Sequence, residues 1–91
     1  MSNMGKEKVK TEELLPTAHV DPKKVEYFRK GGAGSDEAVG YFTGPDGQKY
    51  VVDGNHRVMA KLANGDEYTD AEELDLPEDT KKSWFRRALG I

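Results

Sequence analysis

The sequence predicts an α+β domain, and three observations carry that reading. Tyr50-Val51-Val52 is a run of β-formers that ends in Asp53-Gly54-Asn55, and from His56 onward the apolar residues switch from strand spacing to helix spacing. Just upstream, Gly44-Pro45-Asp46-Gly47 separates two β-prone runs with the residues a turn prefers, which reads as a hairpin. A second helix is bracketed by Asp21-Pro22 at its start and Gly31-Gly32 at its end.

The chain has 91 residues, enough for one small domain that buries only about two-thirds of its unfolded surface. Apolar residues make up 35% and charged residues 34%, so the core is thin. The absence of cysteine excludes disulfides, thiolate metal sites and cysteine nucleophiles. The two histidines lie far apart in sequence, which argues against zinc. No apolar run has transmembrane length, and the lysines near the N-terminus are not followed by the apolar stretch of a signal peptide. The expectation is a cytoplasmic protein with no membrane partner, a monomer or a homodimer.

Net charge is −3 and unevenly spread. Residues 66–79 hold eight carboxylates and no cation, whereas Lys81, Lys82, Arg86 and Arg87 follow within a few residues. A nucleotide or nucleic-acid contact must therefore be local, without a broad basic stripe. The acidic 66–79 stretch is a candidate surface for a protein partner, although such runs are usually solvated.

In chain order, residues 1–8 read as a flexible tail and 9–91 as the domain. Val9–Leu15 is expected to form a first strand that turns into Pro16. Asp21 caps the first helix and Pro22 opens it, with Val25, Phe28 and Tyr27 as its buried face and Arg29 and Lys30 suiting its C-terminal end. Gly31–Asp36 is a loop, read as a connector in preference to a mobile flap. Ala38–Phe42 and Lys49–Val52 are the two arms of the hairpin. The next helix runs from His56, with Val58, Met59, Leu62 and Ala63 on one face and Asn64-Gly65 as its stop. Asp66–Thr69 is expected as a short edge strand. Thr69 or Asp70 then caps an acidic segment that Pro77 breaks. A last helix covers about residues 80–89, its apolar stripe made of Trp84, Phe85 and Ala88 or Leu89.

The chemistry concentrates where the hairpin hands over to the helix at His56. A helix N-terminus offers unpaired N–H groups and the positive end of a dipole, which attract phosphate. Here that end carries His56, which can donate, accept or move a proton, and Arg57, which can fork two hydrogen bonds onto an anion. Gly54 lets a ligand come close to the backbone. Asn55 is expected to cap the helix or to contact phosphate, and Asp53 to orient Arg57, accept turn hydrogen bonds or hold Mg²⁺. A polar histidine opening an amphipathic helix has no evident packing role.

These residues resemble a known superfamily. Asp53-Gly54-Asn55-His56-Arg57 is similar to the strand–Gly-x-x-Arg–helix element of the ParB/sulfiredoxin-like domains, closest to the Gly-Cys-His-Arg form of sulfiredoxin and the Asp-Gly-His/Asn-His-Arg form of ParB-like nuclease domains. Leu15-Pro16 followed by Asp21-Pro22-Lys23-Lys24-Val25 resembles the family's Asp-Pro-x-Lys-Val helix start. The matched stretch covers about residues 9–70. The resemblance implies a short mixed sheet with helices packed around it, and a helix N-terminus that holds phosphate. It carries phosphate or nucleotide binding onto Lys24, Gly54, Asn55, His56 and Arg57, with His56 and Arg57 as the catalytic candidates and Asp53 as a metal candidate. His19, just ahead of the Lys24 helix, is a further candidate for the same pocket. ATP or CTP is the implied ligand, with Mg²⁺ as a possible companion.

The sequence also departs from the family. The catalytic cysteine of sulfiredoxin falls at Asn55, so sulfinic acid reduction by that route is excluded. The later DNA-binding helices of ParB have no counterpart here, and the expectation is an isolated catalytic-type core. Two functions compete. One is a phosphoester hydrolase, a nuclease or NTPase acting on a nucleotide or nucleic acid. The other is a non-catalytic module, a phage or plasmid accessory protein or a toxin-derived piece, that binds a nucleotide or a protein.

Overall fold

The computed structural model describes residues 6–17 and 20–90. Its elements are β1 (Glu7–Lys10), a 3-10 turn (Thr11–Glu13), β2 (Leu14–Leu15), α1 (Pro22–Arg29), β3 (Val39–Thr43), β4 (Lys49–Asp53), α2 (Asn55–Ala63), β5 (Tyr68–Glu73) and α3 (Glu78–Leu89). The strands form one mixed sheet in the order β1-β5-β3-β4-β2. β1 runs antiparallel to β5 and β3 antiparallel to β4, while the β5–β3 and β4–β2 pairs are parallel.

The order of the strands forces the sheet to curl. β1 and β2 sit on opposite edges, yet only the Thr11–Glu13 turn separates them. In a flat sheet those edges would be about 19 Å apart, whereas the chain from Lys10 to Leu14 reaches about 14 Å at most. The edges therefore bend toward each other, and Thr11 is sealed inside the closure at 1% exposure. Its backbone N–H donates to the Glu67 carbonyl at 3.0 Å, and its hydroxyl pairs with that of Thr69 at 2.7 Å. Inside the curl, Leu14, Val39, Val51, Val58 and Ala71 are fully buried, while Phe42 is buried on the other face of the sheet against Tyr50.

The α+β class and the β3–β4 hairpin follow the sequence reading, with each arm one residue longer or shifted at its end. Several other expectations are corrected. The single first strand over Val9–Leu15 is two strands split by a 3-10 turn, and β1 opens at Glu7, inside the stretch read as tail. Asp66–Thr69 is not an edge strand. The strand is β5, which runs through the acidic stretch as far as Glu73 and lies inside the sheet between β1 and β3. Thr69 and Ala71 point inward from it, while Asp70 pairs outward with Lys8 at 2.8 Å. The acidic residues are thereby divided between the turn before β5, the strand itself, a connector and the first turn of α3.

The helices bury less than their patterns suggest. No residue of α1 is fully buried: Val25 and Phe28 are half-buried, and Tyr27 is 52% exposed. On α2 the inward residues are Asn55, Val58 and Ala60, whereas Leu62 and Ala63 face solvent. The inward face is rotated because α2 packs against both α1 and the sheet. α3 begins at Glu78 and touches the sheet at β4, where Phe85 meets Tyr50 edge-to-face at 5.5 Å. Leu89 is exposed, and Trp84 is half-buried under the Arg87 guanidinium, 4.6 Å from the ring centre. Among the described residues no helix is long and apolar enough to cross a membrane.

Candidate functional site

β4 delivers Asp53 to the sheet margin, and Gly54 turns the chain into α2. Gly54 has φ 101°, in the left-handed region that favours glycine. Its carbonyl accepts the first helical bond, from the Val58 N–H at 2.9 Å. No side chain caps α2, so the N–H groups of its first turn, Asn55, His56 and Arg57, have no acceptor within the helix. α1 differs: Asp21 Oδ1 accepts from the Lys23 N–H at 3.0 Å and closes that end.

Two side chains of the α2 first turn lock the preceding connection in place. Asn55 does not cap α2, contrary to expectation. It is the first residue of the helix, 9% exposed, and its Oδ1 accepts from the Thr17 N–H at 2.8 Å. Thr17 in turn donates its hydroxyl to the Val51 carbonyl at 2.6 Å. His56 accepts at Nε2 from the Asp21 N–H at 3.0 Å, joining the start of α2 to the start of α1. The histidine therefore has a structural partner that the sequence did not suggest. With Nε2 accepting, the neutral ring carries its proton on Nδ1.

Arg57 lies across the glycine turn with only 13% of its side chain exposed. Its Nη2 donates weakly to the Ala38 carbonyl at 3.4 Å. Its ion pairs are loose, 3.6 Å to Asp53 and 3.9 Å to Glu37, both on carboxylates that are themselves mostly in water. Its Nε is buried and has no hydrogen-bond partner among the described residues. The guanidinium sits so close to the turn that a Cβ on Gly54 would stand 2.9 Å from Nη2 and 2.7 Å from Val39 Cγ1. Only glycine leaves room for this arrangement.

These groups line an open cleft of about 490 Å³, together with Lys24, Tyr27, Phe28 and Val52. Lys24, Asp53, Gly54, Asn55, His56 and Arg57 thus meet at one place, from two segments about thirty residues apart. His19 lies outside the described residues. Lys24 makes no ion pair among the described residues, and Arg57 also borders a smaller recess of about 140 Å³ behind it, beside Phe28, Ser35 and Ala60. The sequence reading missed Glu37 as an Arg57 partner and the cleft walls Val52, Tyr27 and Phe28. One signal was available for Tyr27: it follows Lys24 by three positions and so shares its helix face. Among the described residues, no three histidine or acidic side chains gather as a metal-ligand set. Asp53 is a lone carboxylate that leans toward Arg57.

No protein-family model matches the chain, and no curated protein matches it. Its structure is similar to the C-terminally truncated chromosome-partitioning protein ParB from Caulobacter crescentus complexed with CTP-γ-S, with a TM-score of 0.67 and 13% identity over 96% of this chain and 54% of that one. It is also similar to protein Atu1540 from Agrobacterium tumefaciens, with a TM-score of 0.63 and 24% identity over 86% of this chain and 45% of that one. The chain spans about half the length of each of these structures. At such identities the likeness is one of fold, and the fold is ParB-like.

Proposed function

We propose that this chain is a nucleotide-binding domain of the ParB type, which holds the phosphates of CTP or ATP in the cleft at the start of α2. The observation that carries the reading is Arg57: a guanidinium largely withdrawn from water, its Nε unpartnered, its two ion pairs too long to be hydrogen bonds. A buried donor left open is costly unless something completes it. A phosphate oxygen entering from the cleft would take the loosely held Nη groups of the same guanidinium, and it could also take the free N–H groups of the α2 first turn and the charge of Lys24 across the cleft. Among the relatives in structure, ParB is itself complexed with a CTP analogue, which supports the choice of ligand.

Mg²⁺ would enter with the phosphates. It commonly takes one or two carboxylates plus phosphate oxygens, and Asp53 can supply one such ligand. His56 serves binding better than turnover. Its Nε2 is taken by the Asp21 N–H, so Nδ1–H is the group left to face a ligand, and that is a donor for a phosphate oxygen, not a base. We therefore rank nucleotide binding ahead of the nuclease or NTPase reading. Calorimetric titration with CTP and ATP, with and without Mg²⁺, tests it beside Arg57→Ala. Binding by the wild type that Arg57→Ala loses supports the site. Equal binding by both, or none by either, rejects it. Phosphate release during the same titration would restore the hydrolase reading.

A further inference from the structure

Tyr27 is an exposed aromatic residue that the fold nevertheless holds still. It stands on α1 one turn after Lys24, lines the same cleft as Arg57, and is 52% exposed. Three contacts fix its ring. The hydroxyl accepts from the Ala33 N–H at 2.9 Å. The Cδ2–Cε2–Cζ side lies over Gly32, so close that a Cβ there would stand 2.4–2.6 Å from those atoms. Phe28 meets the ring edge-to-face, with centroids 5.4 Å apart and the planes at 70°.

Surface aromatics are usually free to rotate, and a buried one contributes by losing its contact with water. Tyr27 does neither. Its rotamer freedom has been spent, its apolar surface remains wet, and it faces a cleft whose other wall carries the Arg57 guanidinium, loosely paired and with its Nε unpartnered. A fixed π-face beside a phosphate-binding end suits a ligand that is planar at one end and anionic at the other. We propose that Tyr27 is the nucleobase platform of the cleft. The ligand class is then a nucleoside triphosphate with its base stacked on this ring, and the claim rests on the phosphate reading given above. Asn55 Oδ1 and His56 Nε2, two of the polar atoms near the turn, are already committed to Thr17 and Asp21. Recognition at Tyr27 is accordingly by stacking, which every base can provide, so CTP and ATP bind with similar affinity.

Calorimetry with CTP, ATP and inorganic tripolyphosphate separates the platform from the phosphate cradle. The wild type is expected to bind both nucleotides more tightly than tripolyphosphate. Tyr27→Leu is expected to lose about ten- to a hundredfold in nucleotide affinity while keeping its affinity for tripolyphosphate, which doubles as the control for an intact cleft. Tyr27→Phe keeps the ring, drops only the Ala33 bond and retains most of the nucleotide affinity. The platform is overturned if Tyr27→Leu binds nucleotides like the wild type, if it loses tripolyphosphate in parallel, or if the wild type binds tripolyphosphate as tightly as CTP. In that last case the phosphate cradle survives. If the wild type binds none of the three ligands, the phosphate reading fails and the platform falls with it.

Discussion

Gly54→Ala places a methyl group at the point where β4 becomes α2. Gly54 has φ 101°, and a left-handed backbone costs a non-glycine residue about 1–2 kcal/mol. The new Cβ would also meet Val39 Cγ1 at 2.7 Å and Arg57 Nη2 at 2.9 Å. Val39 is 1% exposed and packed in the core, so it cannot simply withdraw, and overpacking of this kind adds about 1–3 kcal/mol. Alanine returns about 0.4–1 kcal/mol by stiffening the unfolded chain. The net loss is about 1–4.5 kcal/mol, which for a domain of this size lowers the melting temperature by about 5–35 °C. Gly65→Ala is the control. Gly65 also has a positive φ, 76°, but a Cβ there meets nothing within 4 Å, so only the backbone cost less the same unfolded-chain gain applies, a net loss of about 0–1.5 kcal/mol. Scanning calorimetry and urea unfolding of the two variants read the difference. If Gly54→Ala melts together with Gly65→Ala, the close approach of Arg57 and Val39 to the turn is not what requires glycine, and the geometry given to the guanidinium is wrong.

Asn55→Ala should destabilise the fold by about 1–3 kcal/mol in urea unfolding, because it leaves the buried Thr17 N–H without its acceptor, and Asn55→Asp, which keeps an acceptor oxygen, should recover part of the loss. His56→Ala should cost about 0.5–1.5 kcal/mol through the lost Asp21 bond, so the variant is expected to be measurably less stable in the absence of any ligand, and unchanged stability would refute the structural role. The Lys8 hydrogen bond and then its charge hold the Asp70 carboxyl below its ordinary range. A carboxyl depressed by folding contributes stability above its unfolded value and loses it as pH falls through its folded one. Asp70→Asn should therefore differ from the wild type near neutral pH, by a small amount typical of a surface pair, and the two melting temperatures should converge as the solution becomes acidic.

The parts of the fold legible in the sequence are those written in local chemistry. The Gly44–Gly47 turn, the Asp21-Pro22 helix start and the change of period after Gly54 each act over a few residues, and each lies where it was expected. β5 was illegible for the opposite reason. Asp70-Ala71-Glu72-Glu73 favours helix by composition, and it becomes a strand because β1 and β3 offer it hydrogen bonds on both sides while Thr69 and Ala71 fill the interior. The split of the first strand depends on the curl of the whole sheet, which no local window contains. The site divides in the same way. Arg57 and Gly54 stand out from their own neighbours in sequence. Asn55 and His56 owe their roles to Thr17 and Asp21, more than thirty residues earlier, and that pairing exists only once the helices have packed. Tyr27 was misread because an aromatic at helix spacing usually faces a core, and here the hydrogen bond from Ala33 and the flat surface of Gly32 hold it outward.

The central claim is that a nucleotide's phosphates dock on the first turn of α2, and an amide-resolved NMR titration of the ¹⁵N-labelled protein with CTP tests it most directly. The account predicts the largest shifts at the amides of Gly54, Asn55, His56 and Arg57, with smaller ones at Lys24 and Tyr27 across the cleft. Shifts confined to α3, or spread over the acidic residues of β5 with the Gly54–Arg57 amides unmoved, would contradict it.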